Sequence, residues 1–403
     1  MHRRSTRSAL VVGLASVTAL GMAACGTSSP GPTAPPSDLE IVAQQQIDAT
    51  GVDVGADAGA APADPAGDGN AVCPPVSIAM AGPLTGPDAA LGVGIKNGVQ
   101  LAVDEHNAAN PACQVQLKPF DTEGDARKAE QIAPRVVEDA YTIGLVGPVF
   151  SDAATATGEV FDRAGLVAAT PSATDVALSA QGWRTFFRGS ASDAVQGPAV
   201  ANYMTGNLGY RKVCVVDDST DYGLGLAMLV RETLGAVADS DCNIAVKRGD
   251  TDFSGAVTLI NTAEPDSVFF SGRHAEAAPL VRQLRDAGFA GRFLGSDGTK
   301  NTAFVEQAGA AAADAVLSCP CSPATPEFAE EYSREFGVAP GPYSVEAYDL
   351  GTILLRGIDA GAITRPALLD YVRTYDGRGI ARAYKWADNG DLDRALNWIY
   401  RVE

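Results

Sequence analysis

The sequence predicts an α/β fold of two lobes, each a mostly parallel sheet flanked by helices, with a ligand cleft between them. Three observations carry this expectation. From Val76 onward short apolar runs alternate with amphipathic helical patterns, the signature of βα units. The part expected to fold, about 330 residues, exceeds one comfortable hydrophobic core. Two successive apolar runs, TIGLVGPV and LVAAT, each end in hydroxyl residues, Ser151 after the first and Ser172 and Thr174 after the second. In an open α/β sheet small ligands sit outside the carboxyl ends of the strands.

The elements follow from these periodicities. VSIAMAG reads as a strand followed by the helical GIKNGVQLAVDEHN, VQLKPFDT is followed by DARKAEQIAPRVVEDA, and TIGLVGPV by DAATATGEVFDRAG, before LVAATPS closes the first series. After Arg188, QGPAVANYMTGNLG leads to KVCVVDDS, GLGLAMLVRETLGAV to NIAVKRGD, DFSGAVTLINTAE to SVFFSG, and AEAAPLVRQLRDAG to RFLGSDG. Beyond the strand AVLSCPC come three helical patterns, TPEFAEEYSREFG, SVEAYDLGTILLRGIDAG and TRPALLDYVRTY, then the loop ADNGDLD and a last strand, NWIYRV. This tail must complete lobes already begun. The expected division is residues 73–192 and 320–384 for the first lobe, and 193–319 and 385–403 for the second.

Residues 1–24 read as an export signal, with Arg3, Arg4 and Arg7 ahead of an apolar run from Ala9 to Leu20 that is too short to span a bilayer. Met22-Ala23-Ala24-Cys25 resembles a bacterial lipobox, in which cleavage leaves the cysteine as a lipidated N-terminus. Residues 25–72 are rich in Ala, Gly, Pro, Ser and Asp and read as a flexible tether, with Asp38 to Ile47 at most a transient helix. Losing residues 1–24 removes three arginines and no acid, which takes the formal charge from −19 to −22. So acidic a chain is a poor partner for nucleic acid or for anionic lipid by charge alone, so retention at the extracytoplasmic face of the membrane falls to lipid on Cys25.

Six further cysteines, Cys73, Cys113, Cys214, Cys242, Cys319 and Cys321, suit an oxidising compartment and three disulfides, although sequence alone permits fifteen connectivities. Cys73 and Cys113 precede strands expected to be neighbours, and Cys214 and Cys242 lie in two more. Cys319 and Cys321 are either free thiols or a labile disulfide across one residue. No second Cys or His pair stands at ligand spacing from them, which disfavours a metal. GxxxxGK[ST] is absent and GVGIKNG does not follow a strand at GxGxxG spacing, so no cofactor is expected.

The segments GPLTGPDAALGVGIKNGVQLAVDEHN, Gly147 to Thr174, DDSTDYGLGLA, DTDFS, SGRHAE, FLGSDG and YKWADNGDL, in that order over residues 75–403, resemble the type I periplasmic substrate-binding proteins of ABC importers. The resemblance is to their branched-chain amino-acid-binding (leucine/isoleucine/valine) group. It implies that Ser151 and Thr174 hold a ligand carboxylate, that the Ser172 carbonyl, Thr174 and Asp297 take an ammonium group, and that Tyr222 closes over the ligand from the second lobe. Ala173 lies in the same loop, and Tyr343 keeps aromatic character near the side-chain pocket. The physical logic agrees: a helix start at Ser151 offers free donors to a carboxylate, and a zwitterion taken out of water needs an acid at its other end.

Three positions depart from the family pattern. Asp297 stands where glutamate is usual, and Arg273 and Leu91 stand where aromatics are common. Arg273 either faces the cleft, favouring ligands with a carboxylate or carbonyl over leucine, or snorkels to solvent, or pairs with Asp297.

The expected function is that of a lipid-anchored monomer that captures a small amino acid, or a related amide or carboxylate, and delivers it to an ABC permease. The alternative is a ligand-sensing lipoprotein of the same fold that signals to a regulator or kinase. Enzymatic activity is disfavoured. A Ser151-His274-Asp297 triad is conceivable within one cleft, but Ser151 lacks a GxSxG elbow, and His106, in the helix end VDEHN, reads as solvated.

Overall fold

The computed structural model describes residues 38–55 and 61–403, so the export signal and Cys25 lie outside the described residues. In chain order the first elements are β1 (Ile41–Ile47), β2 (Val76–Gly82), α1 (Ala89–Ala109), β3 (Val115–Asp121), α2 (Ala126–Glu138), β4 (Thr142–Val146), α3 (Ser151–Arg163), β5 (Val167–Thr170) and β6 (Phe186–Arg188). Next come α4 (Asp193–Asn202), β7 (Val213–Asp217), α5 (Asp221–Leu234), β8 (Ala238–Ala245), α6 (Ser254–Ala263), β9 (Ser267–Ser271), α7 (His274–Asp286), β10 (Arg292–Gly295), α8 (Thr302–Ala308) and β11 (Val316–Cys319). The tail holds α9 (Pro326–Phe336), α10 (Ser344–Asp359), α11 (Arg365–Arg373), a small hairpin of β12 (Asp376–Arg378) and β13 (Ala383–Lys385), and β14 (Asn397–Val402).

Two sheets result. The first lobe is built on a five-stranded parallel sheet in the order β3-β2-β4-β5-β6, and the second on a seven-stranded sheet in the order β1-β14-β11-β10-β9-β7-β8. β2, β4, β7 and β9 are buried at every residue, as near-continuous apolar runs must be when helices cover both faces of a parallel sheet. α10 returns from the second series to pack on α1. At Gly98 the two backbones come so close that a Cβ would lie 2.2 Å from the Ser344 carbonyl oxygen. Only glycine permits that approach.

Residues 38–47 correct the expectation of a tether with a transient helix. They form β1, antiparallel to β14 with Ile41 opposite Val402 and Ile47 opposite Asn397, and Ile47 is fully buried. IVAQQQI combines the β-branched Ile41, Val42 and Ile47 with three polar glutamines, a composition that suits a half-buried strand once a partner edge is supplied. That partner is the last strand of the chain. Further on, the Ala63 N–H donates to the Arg378 carbonyl at 2.7 Å, and Asn110 accepts from the Ala71 N–H and donates to the Ala66 carbonyl. Residues 61–72 therefore run along the fold, held by these hydrogen bonds and by Ala71, which packs against the main core.

The cysteines pair as Cys73–Cys113, Cys214–Cys242 and Cys319–Cys321, with Cα separations of 4.6, 5.1 and 5.0 Å. His106 also corrects its reading. It is wholly buried, with Nε2 2.8 Å from Asp359 Oδ1 at the end of α10. These two residues and Cys113 form the one cluster of metal-type ligands among the described residues, and the disulfide already occupies the Cys113 sulfur. No helix among the described residues is long and apolar enough to cross a membrane.

Candidate functional site

The cleft is formed where the carboxyl ends of both sheets face each other. On the first lobe, β4 leads through Gly147 into α3. Gly147 has φ +125°, and a Cβ there would meet the Ala81 carbonyl at 2.6 Å, so the turn requires glycine. The turn sets Ser151 as the first residue of α3. The residue before it, Phe150, offers no side-chain cap, so the leading N–H groups of the helix keep their capacity for an anion. Ser151 Oγ accepts from the Asp175 N–H at 3.3 Å. Ser172 Oγ donates to the Val149 carbonyl at 2.8 Å and ties the loops after β4 and β5 together.

On the second lobe Asp297 follows β10 and is held on both oxygens. Oδ1 accepts from Tyr222 OH at 2.6 Å and from Gln196 Nε2 at 3.0 Å, while Oδ2 accepts from Tyr343 OH at 2.8 Å. Tyr222 stands in the first turn of α5, whose start is capped by Thr220. Tyr343 precedes α10 and belongs to the first lobe, so its bond to Asp297 crosses the cleft. Its backbone sits at φ 62°, ψ 4°, a left-handed conformation that is strained for a bulky residue by about 1–3 kcal/mol.

Burial pushes the Asp297 carboxyl upward, against the hydrogen bonds from Tyr222, Tyr343 and Gln196 that favour its charge. Burial and then the Asp297 charge drive both tyrosines well above their ordinary range, so each remains a donor. Asp193, one turn before Gln196 on α4, is also pushed far up, by burial first and then by Asp297.

Ser151, Ser172, Tyr222, Arg273, Asp297 and Tyr343 line one cavity between the lobes, and Leu91 joins them. Ala173 and Thr174 are fully buried and stand behind that lining. Thr174 stands beside the buried Asp193 carboxyl, whose charged form its hydroxyl favours. The space open to the centre of a water-sized sphere is about 40 Å³, roughly three water positions.

Arg273 neither snorkels nor pairs with Asp297. It is 4 % exposed, and its Nη1 donates to Asp88 Oδ2 of the first lobe at 3.2 Å. Its Nη2 lies 3.7 Å from Asp152 Oδ1, and the guanidinium rests 3.7 Å from the centre of the Phe150 ring. Arg248, also from the second lobe, reaches the same Asp88 oxygen at 2.6 Å. Asp88, Phe150 and Lys300 are cavity residues that the sequence reading did not find. Asp88 was visible only as a turn acid in GPDAA, and Lys300 only as a polar residue three positions after Asp297.

His274 lines the cavity, and burial lowers its basicity. Among the described residues its ring forms no hydrogen bond with Ser151 or Asp297, whose partners are the ones already named. The geometry of an acyl-transfer triad is therefore missing.

The sequence matches the model of the periplasmic binding protein family over residues 75–399. It is 30% identical over 338 residues to the Leu/Ile/Val-binding protein BraC3 of Rhizobium johnstonii, covering 81% of this chain and 92% of that one. It is 28% identical to the leucine-, isoleucine-, valine-, threonine- and alanine-binding protein of Pseudomonas aeruginosa, over 72% of this chain and 80% of that one. Among solved structures, it is similar to the branched-chain amino acid transporter substrate-binding protein LivJ of Streptococcus pneumoniae, crystallised with isoleucine. That match has TM-score 0.74 and 26% identity, covering 79% of this chain and 94% of that one. By their names, two of these relatives are amino-acid-binding proteins and the third is a transporter substrate-binding protein. With the parallel first sheet, the mostly parallel second sheet and the cleft at their carboxyl ends, they show that the chain belongs to the periplasmic binding protein family, in its type I, branched-chain amino acid group.

Proposed function

We propose that this protein is a lipid-anchored solute-binding protein that holds a small amino acid, or a related amide or carboxylate, between its lobes and delivers it to an ABC permease. One observation carries the reading: the uncapped start of α3 at Ser151 lines the same cavity as the buried carboxylate of Asp297. Donors at one end and an acid at the other suit a zwitterion, whose desolvation each of them offsets. Ser151 and Thr174 take the ligand carboxylate in this reading, and the Ser172 carbonyl, Thr174 and Asp297 the ammonium, with Tyr222 and Tyr343 closing around it. The chain divides between lobes near residues 192, 319 and 384, and lipid on Cys25 holds a monomer at the extracytoplasmic face of the membrane.

The test is calorimetry on the full chain carrying Cys25→Ser, so that it is secreted without lipid, against amino acids, their amides and short carboxylates. Saturable binding of at least one zwitterion is expected; none would end the reading. Recovery of a sensor kinase instead of a permease with the native lipoprotein would replace transport by sensing.

A further inference from the structure

Lys300 shares a turn with Asp297, its backbone N–H donating to the Asp297 carbonyl at 3.0 Å, and it is one of the residues that line the cavity. The other charges on the cavity wall have partners in the protein. Arg273 lies on Asp88 and Asp152, Asp88 is shared with Arg248, and Asp297 accepts from three neutral donors. The acid nearest to Lys300 in electrostatic effect, Glu346, is buried against the Arg382 guanidinium. Lys300 is half-buried, and its ammonium lies 4.3 Å from the centre of the Tyr400 ring and makes no hydrogen bond or ion pair with the described residues.

We propose that Lys300 selects ligands with a second carboxylate, so that the preferred occupants are small amino acids with an acidic side chain. This rests on the functional reading above. Once the ligand ammonium has met Asp297 and its α-carboxylate the start of α3, Lys300 is the wall cation still without an anion. A neutral side chain leaves that ammonium partly desolvated and uncompensated, whereas a side-chain carboxylate supplies a charge-assisted hydrogen bond. Burial lowers the Lys300 amine to about 8, so it still carries its proton at neutral pH. Arg273 does not serve this purpose, because its guanidinium is engaged by the first lobe.

The experiment is calorimetry at pH 7 on the full chain carrying Cys25→Ser, with aspartate, asparagine, glutamate, glutamine and leucine, for the otherwise native protein and for Lys300→Met and Lys300→Arg. At least one acid should bind roughly tenfold or more tighter than its own amide, the scale of one hydrogen bond to a charged group. Lys300→Met should collapse that ratio toward one, and Lys300→Arg should keep most of it. A structural role for Lys300 would weaken acid and amide alike and leave the ratio intact, which overturns the proposal. So does a native protein that binds leucine or an amide at least as tightly as either acid, an outcome that leaves the solute-binding reading standing. Failure to bind any amino acid overturns both.

Discussion

Arg273 Nη1 and Asp88 Oδ2 meet at 3.2 Å across the cleft, one residue from each lobe and both nearly excluded from solvent. The pair, with Arg248 on the same oxygen, holds the lobes together independently of anything between them. Asp88→Ala leaves Arg273 and Arg248 without their shared acid, and since separation rehydrates both, it should shift the protein toward an open form. Small-angle scattering checks this. The radius of gyration should rise in Asp88→Ala and less so in Arg273→Ala, which leaves Asp88 with Arg248. An unchanged radius in both variants would show that the clasp does not control closure.

Asp297 is the acid on which the amino-acid reading depends. Asp297→Ala should lower affinity by roughly 3–5 kcal/mol, the scale for removing the partner of a buried charge. Ser151→Ala should lower it by about 1.5–3 kcal/mol, as one hydrogen bond to a charged group. Calorimetry with the best ligand checks both, and native-like affinity in Asp297→Ala would remove Asp297 from the site.

Burial raises the Asp297 carboxyl, and this gives two pH dependences of opposite sign. An ammonium ligand needs the carboxylate, so affinity should fall as pH drops through the raised value, closer to neutrality than for an ordinary acid. In the free protein a raised carboxyl contributes stability that is present below its unfolded value and lost as pH rises through the folded one. Melting temperatures across pH, with and without ligand, should therefore diverge upward from acid to neutral, and Asp297→Asn should flatten both trends.

β1 belongs to the folded body. Ile47→Ala should destabilise the protein by about 2–5 kcal/mol, as for other fully buried aliphatic residues. Urea unfolding checks it, and a loss below half a kilocalorie would return residues 38–47 to the status of a tether.

Peptide mapping without reduction should recover Cys73–Cys113, Cys214–Cys242 and Cys319–Cys321. Replacing Cys73 and Cys113 by Ser opens a loop spanning a sequence separation of 40 and should lower stability by about 2–4 kcal/mol. A bridge joining the two lobes would contradict this pairing.

Most strands of both sheets were legible because βα units announce themselves through period and length, as VSIAMAG and SVFFS do, whereas the three-residue β6 is too short to show a period. The hydroxyl-bearing strand ends at Ser151 and Ser172 were legible for the same reason. β1 was not, because IVAQQQI lies in a polar, Pro-rich neighbourhood and its partner, β14, is the last strand of the chain, a relation that no local pattern encodes. Asp88 escaped notice because its importance comes from two arginines on the other lobe. His106 was misread because a polar sequence around a histidine does not reveal that Asp359 will cover it.

The pairing of β1 with β14 also orders events in time. In a chain that crosses a membrane N-terminus first, residues 41–47 emerge early and wait for residues 397–402, which emerge last. The first lobe draws most of its sheet from an unbroken stretch and can begin to organise during passage. The second cannot complete its sheet until translocation has finished, and closing so long a loop is slow. Until then residues 41–47 lack their strand partner, and any chaperone that accompanies the chain would have its longest work on this segment.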